Sequence, residues 1–569
     1  MNADCLLAHY EKIADAPDAI ARLRRFILDL AVRGKLVPQD PNDEPASELL
    51  RRIAKEKARL VKAGEIKREK PTERASADDL DFDAPAGWSV TCLSEITICL
   101  DYRRVPINGT ERDARNVGKS QKELFPYYGA TQQQGWIDDY LFDGEFILLG
   151  EDGVPFHDQL RTKAYLITGK SWVNNHAHVF QGILASPRFL VHYLNVFDYA
   201  GRVVGATRAK LNQAQAVTIP VPLPPLAEQH RIVAKVDELM GLCDRLEAAR
   251  ANREGVRDRL VAASLVRLNA PDPETFHADA RFALDALPAL TTRPDQIKAL
   301  RQTILNLAVR GKLLTQDEND EPASELLKRI AKEKARLVKA GEIRKEKARP
   351  PISDDDKSFD PPNSWSWVRL GDLSQLVTSG SRDWAQHYAT EGAIFVRMGN
   401  LSKDHYRLRL DHIQRVKAPS DGEGTRTRLQ PGDILISITG DVGMLGLIPE
   451  GFGEAYINQH TAMVRPITEI KGRYLAELFR SPFAQGQFNQ PQRGIKNSFR
   501  LTDVTQFVVP LPPLAEQHRI VAKVDALMAL CDRLEASLTA TAATRRRLLD
   551  ALLAEALASV EARELEAAE

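Results

Sequence analysis

LPPLAEQHRIVAKVDELMGLCDRLEA, residues Leu223–Ala248, returns as LPPLAEQHRIVAKVDALMALCDRLEA at Leu511–Ala536, with 24 of 26 positions identical. Read as a helix, Ile232, Val236, Leu239, Cys243 and Leu246 step by four, three, four and three, which is an a/d seam. Ile520, Val524, Leu527, Cys531 and Leu534 repeat that spacing, and Leu538 extends it. Pro224-Pro225 and Pro512-Pro513 suit only a first helical turn. One chain that carries the same long amphipathic helix twice holds both strands of an intramolecular coiled coil, and the pair is read as the spine of the molecule.

A second repeat lies upstream of each spine segment. Leu30–Lys70 recurs at Leu307–Lys347 with 35 of 41 positions identical. Each copy begins LAVRGKL, where a helix stops near the glycine, and continues into a charged helix (Glu48–Lys70, Glu325–Lys347) with a thin apolar stripe. Because that surface occurs twice, it is expected to meet two copies of one partner. Between the repeats sit two blocks of largely different sequence that share a skeleton. Each opens Pro-x-x-Trp (Pro85/Trp88, Pro362/Trp365). Each has a Gly-acidic apolar run (Gly144–Leu149, Gly432–Ile436) and an apolar-Asn-polar-His step (Val173–His176, Ile457–His460). Short β-branched or aromatic runs with Gly/Pro punctuation predict α/β or α+β blocks. The expected architecture is two such domains separated by an antiparallel coiled coil with an internal pseudo-two-fold repeat. The predicted boundaries are 1–85 helical, 86–222 first block, 223–362 central helical region, 363–510 second block and 511–569 terminal helix. A helix of ~40 residues spans roughly 60 Å, enough to set two readers on one face of B-DNA about 34 Å apart.

Composition bounds the class. At 569 residues the chain exceeds one core and fits about three or four units. Lys+Arg and Asp+Glu both number 78, so the net charge is zero, and any nucleic-acid binding must rest on local patches. Five cysteines without close pairs, two of them on the seam, predict a reducing, cytoplasmic compartment. No run of 18 apolar residues and no signal pattern occur.

No catalytic constellation emerges. Arg115–Ser120 and Gly169–Ser171 end like phosphate loops but lack the required first glycine. Methyltransferase, dinucleotide, hydrolase-elbow and paired-cysteine zinc patterns are missing. His176-x-His178 is read as an imidazole packed or hydrogen-bonded behind a strand rather than as a metal site. Asp138-Asp139 and Glu151-Asp152 are read as solvated turns.

Nucleic-acid contact has diffuse support. Tyr127–Trp136 is rich in amides and aromatics, and Tyr128, Gln132, Gln133 and Gln134 suit adenine edges as well as they suit a polar loop closed by two glycines. Basic runs stand at matching places before each spine helix: Arg202, Arg208 and Lys210, then Arg493, Lys496 and Arg500. They suit phosphate positioning. Arg382, Arg397 and Asn400 are further candidates in the second block.

The duplicated LPPLAEQ…IVAKVD helix, the Pro-x-x-Trp openings, YLFDGEFILLGEDG and QPGDILISITGDVG resemble the specificity (S, HsdS) subunits of Type I restriction–modification enzymes, over nearly the whole chain. The resemblance implies two target recognition domains, each reading half of a bipartite, asymmetric DNA site. It also implies helical regions that fix the spacer and bind two methyltransferase (modification) subunits. This chain would be non-catalytic and cofactor-free. S-adenosylmethionine would come with the methyltransferases, which modify adenine N6, and ATP and magnesium with any restriction subunits. The rival reading is a stand-alone two-domain DNA-binding regulator or decoy.

Overall fold

The helix Ala19–Val32 ends at a glycine for two reasons at once. Gly34 takes φ 70°, where side chains are disfavoured, and a β-carbon there would collide with Pro85 and crowd Trp88 at 3.1 Å. Gly311, after helix Pro294–Val309, repeats both constraints against Pro362 and Trp365. The computed structural model describes residues 15–67, 75–205, 209–270, 272, 274–346, 348–381, 383–418, 422–470, 472–489 and 499–568. It divides into two units. The first comprises Met1–Arg253 with Thr541–Glu569, the second Glu254–Ala540.

In the first unit the strands are β1 (Ser89–Cys92), β2 (Thr97–Cys99), β3 (Phe125–Tyr128), β4 (Gln133–Ile137), β5 (Glu145–Gly150), β6 (Ala164–Thr168), β7 (Trp172–Val173), β8 (Ala177–Gly182), β9 (Val203–Val204), β10 (Lys210–Leu211) and β11 (Pro220–Leu223). They form a β2-β8-β5-β6 sheet, a β4-β3-β7 sheet and two ribbons, β1-β11 and β9-β10. Only β3-β7 is parallel. The run Phe146–Leu149 is buried on both faces, as a central strand must be. The block enters and leaves through one ribbon, with Ser89 opposite Leu223 and Cys92 opposite Pro220.

In the second unit they are β12 (Ser366–Arg369), β13 (Ser374–Ser379), β14 (Tyr388–Ala389), β15 (Ala393–Val396), β16 (Gln414–Val416), β17 (Ile434–Ser437), β18 (Leu445–Leu447), β19 (Ala455–Ile457), β20 (Thr461–Pro466) and β21 (Val508–Leu511). Sheet β13-β20-β17-β18 has the layout of the first unit's larger sheet. Sheet β14-β16-β15-β19 again holds one parallel pair, and ribbon β12-β21 closes the block. Mostly antiparallel sheets with segregated helices place both blocks on the α+β side of the expectation.

The repeated LPPLAEQHR motif is a lock. Where the first long helix (Leu226–Asn269) begins, Glu228 is 1 % exposed and accepts hydrogen bonds from Trp88 Nε1 (3.0 Å) and Gln39 Nε2 (2.7 Å). Arg231 forks onto Asp43 at 3.1 and 2.6 Å. At the start of the second long helix (Leu514–Ala568) Glu516 accepts from Trp365 (2.8 Å) and Gln316 (2.8 Å), and Arg519 forks onto Asp320 at 3.1 and 2.5 Å. Burial pushes both glutamates above the usual carboxylate range even though the indole and amide donors pull the other way. The charged helices are tied in too: Leu49 and Ile53 enter the first core, Leu326, Ile330 and Leu337 are buried in the second unit, and the Lys334 ammonium caps Gly371 O at 2.7 Å.

The seam needs correction. Ile232 and Val236 are buried in the recognition unit's own core beside Ala31, Val32, Leu49 and Trp88, and Cys243 is buried. Leu239 is half-buried, while Leu246 is 37 % exposed. Ile520, Val524 and Cys531 likewise join Ile297, Ile304 and Leu305, with Leu527, Leu534 and Leu538 packed at the margin. Heptad spacing reports which face is apolar and not what covers it. Here a short helix and the block's core take the stripe. That short helix also meets the far half of a long helix. In the first unit Ala16 and Ala19 pack on Leu549 and Leu552, with Arg546 3.2 Å from Asp18. In the second, Arg293 reaches Glu254 (3.3 Å) and Asp258 (2.5 Å).

Glu228→Ala leaves the buried Trp88 indole N–H without an acceptor, at about 1–3 kcal/mol. We expect the melting temperature of the full chain to fall, and Glu516→Ala to do the same. An unchanged melt for both would contradict the lock. His192, on helix Pro187–Val196, provides a pH test. Burial and the nearby Arg188 push its imidazole down to about 4, and its Nε2 is buried without a partner. A depressed value means the unfolded chain binds the extra proton first. Stability is therefore full above pH 6.5 and is lost as pH falls toward about 4, a linkage of roughly 3 kcal/mol. His192→Leu should flatten that acid slope. Identical slopes for variant and parent would contradict the assignment.

Candidate nucleic-acid interface

In the first unit the β3-β4 hairpin presents Gln132, Gln133 and Gln134 exposed at its tip. The tip is held from below. Gly129 N–H donates to Gln132 O (3.0 Å), and the Tyr165 hydroxyl donates to Gly129 O (2.6 Å). Tyr127, Ile137 and Trp172 form a small core under it. Gly129 leaves room for Gln134, whose Cγ would lie 2.6 Å from a β-carbon at that position. The Gln132 side chain has no hydrogen-bond partner among the described residues, and Gln133 uses one amide hydrogen on Gly135 O (3.0 Å). Tyr128 is half-buried, its ring 6.0 Å from that of Tyr165, so it supports the hairpin rather than lying on the outer face. Burial pushes its phenol up.

Along the hairpin the surface carries cations on aromatic rings, which sequence spacing did not reveal because the partners are far apart in the chain. Arg112 lies 5.0 Å over Tyr127, Arg115 5.0 Å over Trp172 and Lys170 4.5 Å over Tyr140. Trp136 and Tyr140 remain exposed. Lys119 and Arg115 hold Asp138 at 2.7 and 2.6 Å and keep its carboxyl below the usual range, so this acid is paired rather than a free turn.

In the basic run before the first long helix, Arg202 and Lys210 have partners within the fold. Arg202 spends its guanidinium on Thr218 O (3.3 Å), Thr218 Oγ1 (3.2 Å) and Gln215 O (3.4 Å), over the Phe197 ring. Lys210 pairs with Glu151 (3.0 Å), which Arg104 also holds at 2.8 Å. Arg208 lies outside the described residues. Local charge counting cannot distinguish a cation facing solvent from one already satisfied by the fold. The same neighbourhood holds the histidines. His178 Nδ1 meets Asp101 Oδ2 (2.6 Å) and its Nε2 meets Leu211 O (2.8 Å), while His176 Nδ1 meets Asp152 (2.8 Å). Asp101, Glu151 and His178 stand close enough to share a cation, and Arg104 and Lys210 already supply positive charge there. Burial alone would raise Asp101, but the His178 hydrogen bond and Arg104 outweigh it and hold the carboxyl low. His178 is thus hydrogen-bonded and buried within β8, while His176 stands half-exposed in the turn before it. The shared Asn is a turn device: Asn174 Oδ1 accepts from His176 N (2.9 Å) and Asn458 Oδ1 from His460 N (3.2 Å).

In the second unit Asn400 is 6 % exposed and internally committed. It accepts from Arg397 N (2.9 Å) and donates to Arg409 O (2.8 Å) and His412 O (3.3 Å), so it shapes a loop and does not face outward to read a base. Arg397 borders a cavity beside that loop. Arg500 is exposed at the start of helix Leu501–Gln506. Arg382, Arg493 and Lys496 lie outside the described residues. The sequence reading missed the exposed stretch 403–413, whose Arg407, Arg409 and His412 stand in one short loop. The alternation Arg-Leu-Arg was the available signal.

Among the described residues no helix is long and apolar enough to cross a membrane. The family model described as the Type I restriction modification DNA specificity domain matches twice, at residues 85–253 and 362–542. Each match spans one block and the start of its long helix. The specificity subunit of the Type I restriction enzyme EcoEI from Escherichia coli is 32% identical, covering 95% of this chain and 94% of its own. The EcoAI specificity subunit from the same organism is 32% identical over 94% and 93%. A solved HsdS subunit from Thermoanaerobacter tengcongensis aligns over 84% of this chain and 98% of its own at 18% identity and a TM-score of 0.37, too loose a superposition to add weight. Two family matches, one per unit, and relatives matched nearly end to end place this chain in the Type I restriction–modification DNA specificity family.

Proposed function

We propose that this chain is the DNA-recognition and scaffold subunit of a Type I restriction–modification complex. It binds a bipartite, asymmetric site, one half per recognition block, and positions two adenine-N6 methyltransferase subunits, with restriction subunits joining in the full complex. It performs no chemistry itself. S-adenosylmethionine, ATP and magnesium belong to the partners.

One observation carries this reading: two units share a frame down to single hydrogen bonds, yet expose different side chains. The Trp88–Glu228–Gln39 lock and its Trp365–Glu516–Gln316 counterpart are the same device. The outer surfaces differ, with amides at 132–134 in one and arginines at 407–409 in the other. A repeated frame suits two copies of one enzyme partner, and unlike readers suit two unrelated half-sites. In this reading the two long helices form the antiparallel, pseudo-two-fold spine that sets the spacer, and the exposed faces of Ala46–Lys62 and Ala323–Lys339 take the methyltransferases. Adenine must leave the stack to be methylated, so both enzymes must be held over the same duplex.

Co-expression with the methyltransferase should yield two of those subunits per chain, and the chain purified alone should transfer no methyl groups. Methyl transfer by the isolated chain at the rate of the complex would contradict the proposal. Inserting one or two helical turns into both long helices should lengthen the spacer and leave each half-site's bases unchanged. Replacing Gln132, Gln133 and Gln134 together by Ala should leave the melt intact and relax the bases of one half-site, read by methylated-site sequencing. A relaxed pattern in both halves would assign the loss to the scaffold instead.

A further inference from the structure

Resting on that DNA-recognition reading, we propose that Arg409, with Arg407 and His412 beside it, is the specificity-determining element of the second unit, and that it reads guanine edges.

The loop 401–413 combines a fixed backbone with uncommitted side chains. Its backbone is fastened on both sides. Ser402 and Leu445 exchange hydrogen bonds at 3.1 and 2.7 Å, Leu447 N donates to Tyr406 O (2.8 Å), and Arg409 N donates to Asn400 O (2.8 Å). The buried Asn400 amide binds Arg409 O and His412 O, and the Tyr406 hydroxyl donates to Glu477 (2.8 Å). Leu401 and Leu408 anchor it in an apolar cluster. Arg407 and Arg409, on either side of the inward Leu408, are exposed, as is His412. None of the three pairs with a carboxylate among the described residues. That distinguishes them from Arg202 and Lys210 of the first unit, which have partners within the fold.

Arg409 and His412 also border a cavity of about 500 Å³ shared with Arg397, Asn458 and His460, in which Asp411 is the one acid. No lysine lines it. A flexible ammonium suits a phosphate as a point charge. A guanidinium held on a rigid backbone presents two parallel donors, the pattern that guanine O6 and N7 accept in the major groove. Holding side chains by a fastened backbone is what directional readout requires.

The test is methylated-site sequencing of cells expressing the full chain with its methyltransferase, for the parent, Arg409→Ala, Arg409→Lys and Arg407→Ala, with melts of each chain and salt-dependent duplex binding. We expect Arg409→Ala to relax one guanine position, in one half-site, by tenfold or more. Arg409→Lys should not restore it, because charge returns without the fork. Binding weakened uniformly across sequences and restored by lysine would make Arg409 a phosphate contact and overturn the proposal. So would an unchanged site for both Arg→Ala variants. If the parent itself marked no bipartite site, the recognition reading would fail first, an outcome separable from these.

Discussion

Much of this architecture depends on a buried carboxylate at the first turn of each long helix. Glu228 and Glu516 sit where burial disfavours charge, and each is retained by an indole N–H and an amide from two other elements. A carboxylate in that position fixes three segments relative to one another: the loop after the short helix, the opening of the recognition block, and the long helix. Removing the acceptor orphans a buried indole N–H, which is costlier than losing a surface pair. The glycine before each lock, at 34 and 311, has no space for a side chain because the proline and tryptophan of the block's opening lie against it. These constraints act on the frame and leave the outer surface of the block free to vary.

Each block also begins and ends in one antiparallel ribbon, β1-β11 or β12-β21. Entry and exit are therefore adjacent, and both lie next to the lock. Residues far from that ribbon can change without moving the helices. The two exposed surfaces show the result, since an amide-tipped hairpin and an arginine-bearing loop belong to blocks whose larger sheets share one strand layout.

The frame was legible in the sequence because it is written twice. Repeats exposed the long helices and the charged helices, and the shared Trp and Asn-x-His positions proved to be a lock and a turn. What covered the apolar stripe was not legible. Ile232 and Val236 obey heptad spacing equally well against a coiled-coil partner or against a domain core, and the core takes them. The surroundings of the candidate residues were legible only in part. Gln132–Gln134 are at an exposed tip as their flanking glycines suggested, but Arg202, Lys210 and Asn400 have internal partners many residues away that no local pattern records. Arg407 and Arg409 escaped notice for the converse reason: their neighbourhood has no repeat to mark it, and only the fastened backbone shows that they are presented.

The central claim is that frame and readers are separable. Its most direct measurement is methylated-site sequencing after residues 86–222 are replaced by the corresponding block of another specificity subunit, with both long helices left intact. The account predicts that one half of the methylated site changes while the other half and the spacer stay the same. A change in both halves, or in the spacer, would contradict it.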